Sequence, residues 1–103
     1  MARHAFHAKF TAHPGRGEDL ARRFLEVAEA LREFDECELF AVTAPSGEED
    51  AVWVTEAWSD PEAHSAALAD ERIAAITRHL PALLAAAPER IDLRPLGGKG
   101  LRG

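Results

Sequence analysis

The sequence predicts one α+β domain with the element order β-α-β-β-α-β. The chain has 103 residues, which is the size of a single domain, and its 47% hydrophobic and 29% charged residues are typical of a globular protein. Apolar residues recur at every second position in several short segments, which is typical of strands, and at helical spacing in longer ones. Turn-forming Pro and Gly residues separate these segments.

The first strand and the first helix come from residues 4–33. Residues 4–12 alternate, so that one face is apolar and carries Phe6, Ala8, Phe10 and Ala12. Pro14 and Gly15 end this strand. A helix is predicted from about Glu18 to Glu33, because one stripe at helical spacing collects its apolar residues, namely Leu20, Phe24, Val27, Ala28 and Leu31.

The second and third strands are predicted at residues 37–43 and 51–58. The segment between them contains Pro45, Ser46 and Gly47, so the two strands are expected to form an antiparallel hairpin with a loop longer than the tightest kind.

The second helical region starts after the third strand. Ser59 and Glu62 have the spacing of a capping box, and Pro61 suits a first helical turn. We expect this helix to end near Ala69, where Asp70 can cap a second helix. That second helix carries Ile73, Ile76 and Leu80 and must kink or end at Pro81.

The last strand is short, because only Ile91 and Leu93 alternate with polar neighbours. Residues 1–96 are therefore expected to form the domain, and residues 97–103 a flexible Gly-rich tail. The complete order is that of a ferredoxin-like fold, a four-stranded antiparallel sheet with helices on one side.

Both faces of the predicted sheet carry large apolar groups, which points to a dimer. Trp53 and Trp58 lie on opposite faces of the third strand, and Phe40 opposes Leu39 in the second. The helices of one subunit can cover only one face, and large exposed apolar patches are rare on monomers. We therefore predict a homodimer whose sheets pack face to face.

Composition excludes several classes of function. The net charge of −6 without a basic stripe argues against nucleic-acid binding. Cys37 is the only cysteine, so neither an internal disulfide nor a cysteine metal cluster is expected, and the histidines lack zinc-binding spacing. No apolar stretch of signal-peptide or membrane-spanning length occurs. The expected location is the cytoplasm, with no membrane partner and no metal.

The third strand and the helix after it resemble the antibiotic biosynthesis monooxygenase family of dimeric α/β barrels. The segment that carries the resemblance is Val54-Thr55-Glu56-Ala57-Trp58-Ser59-Asp60-Pro61-Glu62-Ala63-His64, an apolar strand with Glu and Trp that leads into an acidic helix start and a His. The same order of elements covers nearly the whole chain. The resemblance implies a dimeric α/β barrel and, for members that oxidise polycyclic phenols, a cofactor-independent reaction with O₂.

Pocket residues of those family members transfer to this sequence by spacing. Their Trp matches Trp58, their Tyr falls at His64 and their Arg at Arg78, whereas their Asn position holds Val54, so one polar group is missing. The apolar stripe of the helix places Arg78 on the opposite, solvated side, which is the competing interpretation. In haem-degrading relatives the corresponding Trp and His fall at Ala67 and near Thr77, which argues against haem although His79 lies close by.

The proposed site therefore contains His64 and Glu56 as catalytic candidates, and Trp58, Arg78 and Val54 as substrate-binding candidates. His64 titrates near neutral pH and should face the sheet, so it can accept a phenolic proton or be a hydrogen-bonded core histidine. Glu56 beside Trp58 is costly to bury unless it is paired, so it is either a structural partner or a base. Trp58 is a core anchor, a flat wall for a planar ligand, or both.

The remaining histidines are less defined by the pattern. His4 and His13 are expected to be exposed at strand ends. His7 enters the dimer interface if the Phe face meets the helices, and otherwise it joins the pocket.

Two functions remain open. The first is a cofactor-independent monooxygenase that oxidises a small quinol or phenolic aromatic with O₂. The alternative is a non-catalytic dimer on the same scaffold that binds a small molecule or responds to stress, since fold alone does not fix function.

Overall fold

A computed structural model describes residues 3–101 of the chain. Strand β1, His4–Thr11, leads into helix α1, Gly17–Ala30, which tightens into a 3₁₀ turn at Leu31–Glu33. The predicted single helix to Glu33 therefore ends in a different hydrogen-bond pattern, as is common for a last helical turn. Strands β2, Cys37–Thr43, and β3, Ala51–Trp58, form the predicted hairpin.

Three short helices and a strand complete the chain. They are α2, Pro61–Ala69, α3, Glu71–Thr77, α4, Leu80–Leu83, and β4, Glu89–Leu93. Asp70 caps α3 as predicted, and Pro81 lies in the first turn of α4, so it begins a new helix rather than kinking the old one. Residues 94–101 contain neither helix nor strand. Met1, Ala2, Arg102 and Gly103, at the ends of the predicted domain and tail, lie outside the described residues.

The N-terminus of α2 differs from the predicted capping box. Asp60, not Ser59, is the N-cap residue, and its carboxylate accepts a hydrogen bond from the backbone N of Ala63 at 2.7 Å. Asp60 stands directly before Pro61 in an extended conformation, which aims its carboxylate at the exposed N–H groups of the first turn. The predicted pattern was therefore wrong by one residue.

The four strands form one antiparallel sheet in the order β2-β3-β1-β4, and the mixed α+β fold is the predicted ferredoxin-like one. β1 and β3 lie at the centre, with His4 opposite Trp58 and Phe10 opposite Val52. β4 is an edge strand, all of whose residues are exposed. None of the helices within residues 3–101 combines the length and apolar character needed to cross a membrane.

The helices pack on the sheet face that carries Phe6, Ala8 and Phe10 of β1. Two apolar clusters fill the space between. One is formed around Leu20, Phe24, Val52, Val54 and Leu83, and the other around Val27, Leu31, Trp58, Ala67 and Ile73. The sequence left the orientation of β1 open, and this packing places His7 on the sheet face away from the helices.

The face away from the helices has its own aromatic pair. The ring of His7 stacks on Trp53 with centroids 4.5 Å apart, and His7 Nδ1 shares a hydrogen bond of 2.7 Å with Thr55 Oγ1. Because Trp53 contacts His7 on this face and Trp58 packs under the helices, the two tryptophans lie on opposite faces of β3, as predicted. Ile91 and Leu93 of β4 lie on the same uncovered face and are 59% and 41% exposed.

Candidate active site

A cavity of about 340 Å³ lies between the sheet and the helices. Its wall is mostly apolar. The sheet contributes Phe6, Ala8, Phe10, Phe40 and Trp58, and the helices contribute Phe24, Val27, Leu31, Ala67 and Ile73. A concave apolar space with a few polar groups is typical of small-molecule sites.

Four polar side chains reach this wall, namely Glu56, His64, Thr77 and Arg90. Glu56 lies on β3 with its side chain toward the helices, because it alternates with Thr55, whose side chain contacts His7 on the other face. His64 lies in the first turns of α2, which Asp60 caps. The hairpin strand and the helix that follows it thus bring the two titratable groups together.

Glu56 is a carboxyl group held in an apolar environment. Its Oε1 accepts a hydrogen bond of 3.0 Å from the indole Nε1 of Trp58, and only 12% of its side chain is exposed. Desolvation raises the pKa of Glu56 to about 7, against the lowering effects of the Trp58 hydrogen bond and the positive charge of Arg90. Near neutral pH this carboxyl group therefore exchanges a proton readily.

His64 lies between Glu56 and His4. Its Nε2 is 3.6 Å from Glu56 Oε1, and its Nδ1 is 3.0 Å from His4 Nε2. Burial, followed by the charges of His4 and Arg90, lowers the pKa of His64 to about 4. The imidazole is therefore neutral at pH 7, so its contact with Glu56 is not an ion pair there.

Aromatic rings surround the His64 imidazole. Its centroid is 5.1 Å from that of Trp58 and 5.4 Å from that of Phe6. These distances are in the range of favourable aromatic contacts, which hold the imidazole in one orientation. The acid–base pair thus lies beside two aromatic rings at the wall of the cavity.

The structure brings together three of the five site residues named from sequence, Glu56, Trp58 and His64. Val54 is fully buried in the apolar cluster and is not part of the cavity wall. Arg78 is exposed at the end of α3, where its Nε donates to the carbonyl of Ala74 at 3.3 Å, and it does not line the cavity. Its position is the solvated one that the helical stripe predicts.

Two residues of the site were missed from sequence. His4 was expected to be exposed, which is wrong, because it is half-buried against His64. It shares the β1 face of Phe6 by simple alternation, so the signal was present. Arg90 was missed because the last strand was recognised by Ile91 and Leu93, whose alternation also places Arg90 on the opposite face, toward the cavity.

Within residues 3–101, no group of three or more His, Cys, Asp or Glu side chains is placed to hold a metal ion. Thr77 lines the cavity, but His79 is exposed and is not part of its wall. His13 is exposed, as predicted.

Several solved structures share this fold. A protein from Chloroflexus aurantiacus J-10-fl, assigned to the antibiotic biosynthesis monooxygenases, is 28% identical with a TM-score of 0.84, and the match covers 94% of this chain and 96% of that one. A protein from Caulobacter crescentus with the same assignment is 18% identical with a TM-score of 0.82, covering 93% and 92%. The protein Rv0793 from Mycobacterium tuberculosis is 15% identical with a TM-score of 0.81, covering 95% and 99%.

A comparison with protein-family models agrees with these structural matches. No curated protein sequence matches the chain. The model of the antibiotic biosynthesis monooxygenase family, however, matches residues 4–79, which include β1 and the whole segment from β3 through α3. The chain therefore belongs to the antibiotic biosynthesis monooxygenase family.

Proposed function

We propose that this protein is a cofactor-independent monooxygenase that oxidises a small quinol or phenolic aromatic with O₂. Family membership supports a monooxygenase-type activity. The observation that supports oxidation of a quinol or phenol in particular is the Glu56–His64 pair, which is buried at the wall of an apolar cavity large enough for one small ligand.

The proposed reaction needs a base whose pKa lies near the working pH, because such a group both accepts and returns a proton efficiently. Glu56 meets this requirement, since burial raises its pKa to about 7. His64, whose pKa burial lowers to about 4, is a weak base, so its neutral imidazole is better suited to hold the substrate oxygen through a hydrogen bond.

In the proposed sequence, Glu56 removes the proton of an aromatic hydroxyl group. The resulting electron-rich anion reacts with O₂ at a ring carbon that carries hydrogen, and Glu56 returns its proton to the new peroxide. Loss of the ring hydrogen as a proton then breaks the O–O bond and releases water. A phenol plus O₂ thus gives a quinone plus water, and the substrate supplies all four electrons.

The apolar wall has two roles in this proposal. Trp58 and Phe6 offer flat surfaces to the substrate ring, and their exclusion of water protects the anion until O₂ reacts. The indole N–H of Trp58 also keeps the Glu56 carboxylate oriented through their hydrogen bond.

We also propose that the working form is a homodimer joined by the sheet faces that the helices leave uncovered. Trp53, Ile91 and Leu93 lie on that face, and an apolar surface of this kind is more stable when a second copy covers it. A second sheet on that side would complete the α/β barrel that the resemblance implies.

Oxygen uptake with a panel of small quinols and phenols tests the activity. We expect uptake above the spontaneous rate for the wild-type protein, and a loss of roughly 10²-fold or more for Glu56→Gln, which removes the base. His64→Ala should also be slower, whereas His13→Ala and Glu62→Gln, changed at exposed positions, serve as matched controls.

The outcomes separate the two candidate functions. Equal rates for the wild type and both site variants would remove Glu56 and His64 from the mechanism. Thermal stabilisation by an aromatic ligand without any oxygen uptake would instead favour the non-catalytic binding protein.

A further inference from the structure

Arg90 lies at one side of the cavity, on the edge strand β4. It pairs with Ala8 of β1, and its side chain lies on the helix-facing side of the sheet. The guanidinium carbon is 3.9 Å from the centroid of the Phe6 ring, a cation–π contact that favours this position of the charged group at the aromatic wall. The cavity therefore has a fixed positive charge beside an aromatic surface.

Much of the hydrogen-bonding capacity of this guanidinium remains unused. Its Nε donates to Asp92 Oδ1 at 2.8 Å, and within residues 3–101 Arg90 has no other hydrogen bond. The two terminal nitrogens thus keep four N–H donors in the planar fork that binds a carboxylate through two parallel bonds.

Asp92 neutralises this charge only in part. Its side chain is 79% exposed and that of Arg90 is 44% exposed, so water screens Asp92 more strongly than Arg90. The charge of Arg90, in contrast, acts inward, because it contributes to the lowered pKa of His64 and opposes the raised pKa of Glu56.

Arg90 is the only permanently charged side chain among the described residues that line the cavity. The other polar groups, Glu56, His64 and Thr77, include no cation at neutral pH, since His64 is neutral there. An anionic group on a ligand therefore has a single place at this wall where its charge is matched.

We infer that the cavity takes an aromatic hydroxy acid of one or two rings, with its carboxylate on Arg90 and its hydroxyl group toward Glu56 and His64. The cavity volume of about 340 Å³ lies at the small end of ligand sites, which limits the ring system. This inference rests on the proposed function for the hydroxyl end, whereas the carboxylate end rests on Arg90 alone.

Calorimetric binding of two matched probes under anaerobic conditions tests the inference. The probes are 6-hydroxy-2-naphthoate and its carboxamide, which has nearly the same shape without the charge. We expect the wild-type protein to bind the carboxylate roughly tenfold or more tightly than the amide, as a charge-assisted bidentate pair would give. The preference should weaken as salt is raised.

Three variants test whether the preference for the carboxylate probe over the amide probe depends on Arg90. Arg90→Gln should bind both probes equally, and Arg90→Lys should keep part of the preference because it retains the charge without the planar fork. Arg94→Gln changes an exposed arginine on the same chain segment, outside the cavity wall, and should retain the full preference. Circular dichroism of each variant establishes that the fold is retained.

Each result has one meaning for the carboxylate site. Equal affinity of the wild type for both probes, failure of both to bind, or an unchanged preference in Arg90→Gln would overturn the inference. Because binding is measured without O₂, a carboxylate preference lost in Arg90→Gln would support the site even if no quinol is turned over. Turnover of neutral quinols with no carboxylate preference would retain the proposed function and reject this site.

Discussion

His64 Nε2 lies 3.6 Å from Glu56 Oε1, and the two groups have pKa values shifted in opposite directions. Burial disfavours the charged form of each, so it raises the pKa of the acid to about 7 and lowers that of the base to about 4. At neutral pH His64 is therefore neutral, and Glu56 is protonated in part of the molecules. An acid–base pair in this state can transfer a proton inside an apolar cavity without leaving a permanent buried ion pair.

The opposed pKa values predict how stability depends on pH. Between pH 4.5 and 7 the folded state retains a proton on Glu56 that the unfolded state has lost, so this group makes stability fall as pH rises. Between pH 4 and 6.5 the unfolded state carries a proton on His64 that the folded state lacks, so that group makes stability rise with pH.

Replacing one of the two groups should reveal how the other makes the free energy of unfolding depend on pH. In urea unfolding from pH 4 to 7.5, Glu56→Gln should gain stability relative to the wild type as pH rises toward 7, and His64→Gln should lose it. The difference in free energy of unfolding between each variant and the wild type should change by at most about 1.4 kcal/mol per pH unit, which is the value for one proton. Curves for both variants that run parallel to the wild type would contradict the assigned pKa directions, and Glu62→Gln, changed at an exposed position, is measured beside them as the control.

His4 should influence the site through His64. Burial is the larger cause of the lowered His64 pKa and the charge of His4 is the next, so His4→Gln should move the pKa of His64 up from about 4. NMR titration of the His64 ring measures this directly, with His13→Gln as the control at an exposed position. An unchanged His64 pKa would show that the 3.0 Å contact between the two rings has no electrostatic role.

The proposed dimer can be tested with two matched substitutions. Ile91 and Leu25 are 59% and 57% exposed, but Ile91 is on the uncovered face of the sheet and Leu25 is on α1. Sedimentation at micromolar concentration should show a dimer for the wild type and for Leu25→Glu, and a monomer for Ile91→Glu, because a charge would be buried between the sheets. A wild-type monomer would refute the proposed assembly.

Gly17, the first residue of α1, lies directly against the loop between β2 and β3. A Cβ atom at this buried position would come within 2.0 Å of the carbonyl oxygen of Glu49 and 2.8 Å of the Cα of Asp50. Asp50 also accepts hydrogen bonds from the backbone N of Gly15 and of Gly17. Because the contacted atoms are backbone atoms, Gly17→Ala should lower the free energy of unfolding by about 1–3 kcal/mol.

Thermal or urea unfolding measures that loss. Ser65→Ala, at an exposed position of α2, should leave stability within about 0.5 kcal/mol of the wild type. A Gly17→Ala variant as stable as the Ser65→Ala control would show that the loop can move away from the helix without cost.

The sequence was sufficient for the fold because its signals are local. Alternation in β1 and β3, the apolar stripe of α1 and the cap at Asp70 each specify one element, and these elements have one common arrangement in a ferredoxin-like sheet. The opposite orientations of Trp53 and Trp58 follow from the same alternation.

The candidate site was predicted only in part, because its remaining members come together through the sheet. Glu56, Trp58 and His64 lie within nine positions of one another, so local periodicity could bring them together. His4 and Arg90 come from opposite ends of the chain and reach the site only because β1 lies between β3 and β4. The family resemblance assigned Arg78 to the pocket, whereas the helical stripe placed it in solvent, and the structure has this arginine in solvent.

In the proposed reaction, O₂ inserts one oxygen atom into an aromatic ring bound beside Glu56. Mass spectrometry of the product formed from a small quinol under ¹⁸O₂ tests it most directly. We expect one ¹⁸O atom in each quinone product, one molecule of labelled water per turnover, and little product above background from Glu56→Gln. A quinone without ¹⁸O, accompanied by hydrogen peroxide, or the same labelled yield from Glu56→Gln, would contradict it.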